Sequence, residues 1–281
     1  MNLPPDFQFS QASLQDLADC PRRFQFRYAE RLAWTAPAAE PAGEWERRAQ
    51  AGERFHRLAQ QTLLGLPAAR LAAGDASLSE WLRRFEAHAS RLWGGAARPA
   101  AGRFWTEVTL SCPLEGRRLM ARYDLIVHQP DGRLTIVDWK TAGRKPARSL
   151  LAARLQTRVY PWVLWRAGRE FLGAPPAPEQ IEMAYWFAEA PAEPERFGYS
   201  AAQAERDGRD LAGLARRAAA LDAAADLRTS DLTHCRHCHY RGRCERDTHP
   251  GPAAEAEIEP AGEATPLAGR ETVDDLADPE N

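Results

Sequence analysis

Residues 133–140 read RLTIVDWK. Leu134, Ile136, Asp138 and Lys140 alternate with Thr135, Val137 and Trp139, the two-residue period of a β-strand, so an acid and a lysine share one face at the end of an apolar run. Such a pair suits a site that holds a divalent cation and a phosphate together. The residues upstream carry the same period. RRLMARYDLIVH (117–128) reads as a strand, QPDG (129–132) as a hairpin turn, and RFWTEVTLS (103–111) as an earlier strand closed by the turn CPLEG (112–116). The three form an antiparallel meander. Asp124 falls on a face with Met120, Arg122 and Ile126, and the hairpin brings it near Asp138, so two carboxylates can converge on one hard cation. Glu107 is read as a surface strand residue, with a further site acid as the alternative.

Outward from the meander the period is helical. SQASLQDLADCPRRFQFRYAERL (10–32) reads as two helical pieces, with Ser10 or Ser13 as N-cap and Pro21 in the first turn of the second. A loop (36–43) precedes a helix from about Glu44 to Leu64, and another spans about Ser77 to Leu92. After the third strand come a helix from about Ala147 to Arg169, a fourth strand (179–189) and an Ala/Arg-rich helix from Ser200 to about Ala225. The fold class is α/β (α+β): a central mixed sheet, built from the meander and the fourth strand, flanked by helices.

The chain has 281 residues, 44% of them hydrophobic, which is ordinary for a globular protein. It contains no apolar run of 18 residues, and MNLPPDFQFS is neither basic nor apolar enough for a leader, so a soluble cytoplasmic protein with no membrane partner is expected. The formal net charge of -2 is unevenly placed. Residues 251–281 hold nine acidic residues and one Arg, leaving 36 Lys+Arg against 30 Asp+Glu ahead of them, a balance of +6. One domain over residues 1–249 and a disordered acidic tail over 250–281 follow from that break. The mildly basic body is compatible with a polyanionic partner.

THCRHCHYRGRCERD (233–247) holds Cys235, Cys238 and Cys244 among five cysteines in all. An odd, clustered set points to metal rather than to a disulfide framework. A tetrahedral thiolate site takes four ligands. Spacing alone leaves open a zinc site of three cysteines with His234, His237 or His239, a four-cysteine zinc site with Cys20, and an iron-sulfur cluster. Cys112 has no partner in any of these and is taken as an ordinary small residue. Near Cys20, Phe24 and Tyr28 are read as core and Arg22, Arg23, Arg27 and Arg31 as a solvated face, the alternative being contacts to phosphates and bases.

Asp124, then IVDWKTA (136–142) with Asp138 and Lys140, then LQTRVY (155–160) with Gln156 and Tyr160, resembles the PD-(D/E)XK nuclease superfamily, in particular its RecB-like exonuclease branch. GERFH (52–56) matches the Gly-x-x-x-His stretch that precedes the strands in that branch. The resemblance implies a restriction-endonuclease-like core and a Mg²⁺- or Mn²⁺-dependent deoxyribonuclease. His56, Asp124, Asp138 and the backbone carbonyl of Trp139 would then hold the metal, Lys140 would assist the attacking water, and Gln156 and Tyr160 would line the DNA side. It further implies a 4Fe-4S cluster on Cys20, Cys235, Cys238 and Cys244, as in the iron-sulfur members of the branch, with zinc as the alternative. DNA, as single strands or ends, is the implied substrate, and a helicase or CRISPR adaptation proteins are the implied partners, in repair, recombination or spacer acquisition. No G-x-x-x-x-G-K-[ST] motif is present, so any unwinding would come from a partner. A catalytically silent scaffold and a zinc-stabilised binding module are the competing readings.

Overall fold

The computed structural model describes residues 2–32, 41–67, 70, 72–92, 104–141, 144–191, 193–236, 238 and 240–246. The acidic tail, His237 and His239 lie outside the described residues. In chain order the elements begin with β1 (Phe9–Ser10), α1 (Gln11–Asp19) and α2 (Pro21–Phe24), which runs into a π-helical turn (Gln25–Ala29). Next come α3 (Pro41–Leu63), α4 (Ala76–Leu92), β2 (Phe104–Leu114), β3 (Arg117–His128) and β4 (Leu134–Lys140). Then follow α5 (Arg148–Ala153), α6 (Leu155–Ala167), α7 (Arg169–Leu172), β5 (Ile181–Phe187), β6 (Glu195–Gly198) and α8 (Ala201–Ala220). No helix among the described residues is long and apolar enough to cross a membrane.

Local chemistry accounts for the helix starts. Ser10 caps α1 in a reciprocal box with Ser13, Pro21 occupies the first turn of α2, and Ser200 accepts from the Gln203 N–H at the head of α8. The strands join in one mixed sheet of order β1-β3-β4-β5-β6, with β2 pairing β3. β3 runs antiparallel to β2 and β4, while β4 and β5 are parallel, which is why a helical crossover has to separate them. Each sheet face carries its own core. Leu14 and Leu17 of α1, Val159, Val163 and Leu164 of α6 and Leu211 of α8 cover one face. Phe55 and Leu58 of α3 and Leu78, Leu82 and Phe85 of α4 cover the other, against Val137, Trp139 and Trp186. The result is a helix-sheet-helix sandwich with the sequence-expected class and a mixed central sheet.

Four details depart from the sequence reading. The first hairpin turns at Glu115 and Gly116, not over residues 112–116: both have positive φ (46° and 75°), and Leu114 pairs Arg117. Two successive left-handed residues match the twist of the flanking strands, so a two-residue turn suffices. Pro113 is tolerated inside β2 because β2 pairs only β3. The helix expected from Ala147 to Arg169 breaks at Arg154, whose ψ of 141° is extended. β1 and β6 are too short for periodicity to show them.

Candidate active site

The site forms where two strands part. β3 pairs β4 only from Leu125↔Val137 to His128↔Leu134, whereas β4 pairs β5 along its whole length, to Lys140↔Phe187. Asp138 to Lys140 therefore run on with β5 while β3 bends away. The divergence would orphan the Trp139 N–H, and a buried donor without an acceptor costs about 1–3 kcal/mol. Asp124 supplies that acceptor: its Oδ2 lies 3.0 Å from Trp139 N. The carboxylate thus substitutes for a ladder bond at the fork.

Strand alternation fails on β3 at this point. Leu119, Ala121, Tyr123 and Ile126 all pack in the core shared with α6, while Leu125 and Val127 pack in the other. Tyr123 and Ile126 are three apart, so the period slips at Asp124, and Ile126 packs with Leu119, Ala121 and Tyr123 rather than on the face expected for Met120, Arg122 and Asp124. β2 slips at the matching place. Trp105 and Val108, also three apart, both pack on the first core, and Glu107 between them has a φ of 52°. Thr106↔Leu125 and Val108↔Tyr123 put Glu107 directly across from Asp124.

Glu107 is accordingly part of the site. His56, Glu107 and Asp124 each offer a ligand atom, all within 4.8 Å of one another. Arg122 donates to Glu107 Oε2 from Nε at 2.8 Å. Burial and the charge of Asp124 raise the Glu107 pKa, against the pull of Arg122. Its place could have been found by counting back from a two-residue turn at Glu115 and Gly116, which sets 107 opposite 124; the longer turn assumed from CPLEG hid it.

His56 comes from α3. Gly52, one turn earlier, packs so closely on the end of β4 that a Cβ there would lie 3.0 Å from Thr141 Oγ1, which gives the Gly-x-x-x-His spacing a physical basis. Phe55 anchors the helix, fully buried against Trp186 and Phe85. His56 Nδ1 then lies 3.1 Å from Asp124 Oδ1. Burial works to lower the His56 pKa, but the charge and hydrogen bond of Asp124, with Asp138 behind it, outweigh burial and raise it.

Asp138 and Lys140 share a face as their spacing requires, and both are buried, at 4% and 7% exposure. Lys140 Nζ lies 3.0 Å from Asp138 Oδ2, and Gln156 Nε2 donates to Asp138 Oδ1 at 2.7 Å. Gln156 and Tyr160 both sit on α6, but neither is on an open surface. Gln156 is 2% exposed and engages Asp138; the Tyr160 ring lies 5.1 Å from the Tyr123 ring within the core, and its carbonyl accepts from Tyr123 Oη.

The four cysteines named above gather around one small cavity. Cys20, at the junction of α1 and α2, lines a cavity of about 20 Å³ with Cys235, Cys238, Cys244, His234, Arg23, Arg228, Arg241 and Arg246. Neighbouring contacts join the chain's two flanks: Arg22 N donates to Leu227 O, Tyr240 Oη to Leu32 O, and Phe26 packs on Tyr240. Phe24 is core and Tyr28 packs on it, while Arg23 pairs with Asp16 and Asp19 and Arg27 with Asp16. Cys112 is buried in β2, its thiol pKa pushed up to about 11 by burial.

Comparison with known proteins bears on this arrangement. The profile of the PD-(D/E)XK nuclease superfamily matches residues 8–245. No curated protein matches the chain. Two similar solved structures are SSO0001, with 15% identity, 88% of this chain and 90% of that chain covered and a TM-score of 0.41, and a Eubacterium rectale protein described as a candidate exonuclease. The latter has 9% identity, 78% and 86% coverage and a TM-score of 0.49.

Proposed function

The chain belongs to the PD-(D/E)XK nuclease superfamily, and from that membership we propose that it is a divalent-cation-dependent deoxyribonuclease of the RecB-like branch, hydrolysing phosphodiester bonds in single strands or at ends. The observation that carries this reading is the fork between β3 and β4, where buried Asp124, Asp138 and Lys140 gather beside His56. Buried charges are costly unless something uses them.

The donor set fits a hard cation, being carboxylate oxygens and one imidazole without a thiolate. His56, Asp124, Asp138 and the Trp139 carbonyl are the groups that would hold Mg²⁺ or Mn²⁺. Such an ion supplies Lewis-acid polarisation of a phosphoryl oxygen and lowers the pKa of water at the site. Lys140 contributes the positive charge that orients the attacking water and offsets charge developing on the phosphoryl group. Gln156 fixes Asp138, and the Trp139 N–H fixes Asp124, so both carboxylates are set in place before substrate arrives. Tyr160 supports α6 from the core.

Cys20, Cys235, Cys238 and Cys244 are assigned to a 4Fe-4S cluster that clasps the two flanks. Their common cavity supports this. The lining arginines would offset the cluster's negative charge. Iron and sulfide analysis after anaerobic purification tests it, and a colourless protein with one zinc per chain would refute it. Partnership with a helicase or with CRISPR adaptation proteins, and a role in repair or spacer acquisition, rest on the RecB-like resemblance alone.

A labelled single-stranded oligonucleotide with Mn²⁺, with and without chelator, tests the activity. Asp138→Ala and Lys140→Ala should each abolish cleavage while leaving the iron content intact. Unimpaired cleavage by either variant would overturn the assignment.

A further inference from the structure

We propose that Glu107 is a ligand of the catalytic cation, alongside His56 and Asp124. The inference rests on the nuclease reading and extends it to a residue on β2, which the Asp-and-Lys motif does not include. Three observations carry it.

The first is convergence. Among the described residues, His56, Glu107 and Asp124 are the one group of three or more candidate ligands with all their atoms within 4.8 Å. They come from α3, β2 and β3, so three separate elements aim donors at one point. Asp138 is outside that group and is engaged by Lys140 and Gln156.

The second is the paired irregularity. The period slips on β2 at Glu107 and on β3 at Asp124, directly opposite each other. Like charges directly opposite on neighbouring strands are destabilising, and a non-glycine residue held at φ 52° costs about 1–3 kcal/mol more. A cation between the two carboxylates turns that repulsion into attraction.

The third is that the visible partner of Glu107 does not account for its conformation. Arg122 holds only Oε2, through Nε and Nη2 at 2.8 and 2.7 Å, from a side chain that is 63% exposed. The Glu107 side chain is itself 14% exposed, and a pair with one partner in solvent is screened and does not require a left-handed backbone. Arg122 is moreover a diagonal neighbour of Glu107, reachable from a regular strand without any break. Oε1 accepts no hydrogen bond among the described residues, which leaves it available to the ion.

The test is Mn²⁺ binding, followed by calorimetry and by the loss of the free-ion electron paramagnetic resonance signal. It uses the full chain, wild type and variants, with near-ultraviolet circular dichroism in chelator to verify folding. Glu107→Gln keeps the side-chain shape and an acceptor for Arg122, and should weaken Mn²⁺ binding by about tenfold to a hundredfold, the range commanded even by groups behind the ligands. Arg122→Met should leave binding unchanged or tighter, since it frees the carboxylate. Wild-type affinity in Glu107→Gln, alongside lost binding in Asp124→Asn, would overturn the proposal and leave the nuclease reading standing. An equal loss in Arg122→Met and Glu107→Gln would reduce Glu107 to an ion-pair partner, also overturning it. Failure of the wild type itself to bind Mn²⁺ would overturn both readings.

Discussion

Replacing Lys140 by Met should separate the stability of the site from its purpose. The Lys140 Nζ to Asp138 Oδ2 distance is 3.0 Å, and the two side chains are 8% and 6% exposed. Coulomb's law at that distance, with an effective dielectric constant of about 20, gives a gross attraction of about 5–6 kcal/mol. Desolvation of the two ions takes back most of it, so the pair adds little net stability. Removing only the lysine is different, because Asp138 stays buried and loses its cationic partner, while Gln156 is a neutral donor. Breaking a buried pair in this way costs about 3–5 kcal/mol. At about 2–4 °C per kcal/mol for a domain of this size, the midpoint should fall by roughly 6–20 °C. The double variant Asp138→Asn with Lys140→Met removes both charges and should recover most of that loss, with nuclease activity absent from both proteins. Thermal melts in chelator, with urea titration to check that the slope is unchanged, provide the measurement. A Lys140→Met protein as stable as wild type, or a double variant no better than the single, would refute the burial argument.

Two further outcomes follow from the same geometry. Asp124→Ala removes the acceptor of the Trp139 N–H and should cost about 1–3 kcal/mol by denaturant titration, with Mn²⁺ binding lost; Asp124→Asn keeps an acceptor and should lose binding with a smaller stability change. The folded-state pKa of His56 is raised, burial opposing and Asp124 prevailing, so the stabilisation from its protonated form is full below the unfolded value of about 6.5 and is lost as pH rises through the folded value. Because a metal ligand must be the neutral imidazole, Mn²⁺ affinity should rise with pH across that same window and binding should release protons. Calorimetry in buffers of different ionisation enthalpy measures that release, and an identical heat in all of them would contradict the assignment of His56.

What could be read from the chain alone was what local periodicity and turn chemistry encode. Alternation over 134–140 placed Asp138 and Lys140 on one face, and the short QPDG turn set Asp124 beside them, because hairpin register follows from turn length. The Gly52 to His56 spacing and the one-plus-three cysteine pattern were equally visible in residue identities. Tertiary structure decided the rest. Glu107 entered the site through a left-handed residue inside a strand, which breaks the alternation any pattern argument assumes. Gln156 turned to Asp138 and Tyr160 to Tyr123 because α6 packs against the sheet with that face inward, and four-residue spacing fixes only that two side chains share a face, not what the face meets. β1 and β6, two and four residues long, exist because longer neighbours offer them an edge. Sequence by itself determined which acids, lysine and thiols the chain carries and on which elements; only the divergence of β3 from β4, set by packing on both sheet faces, decided which of them meet.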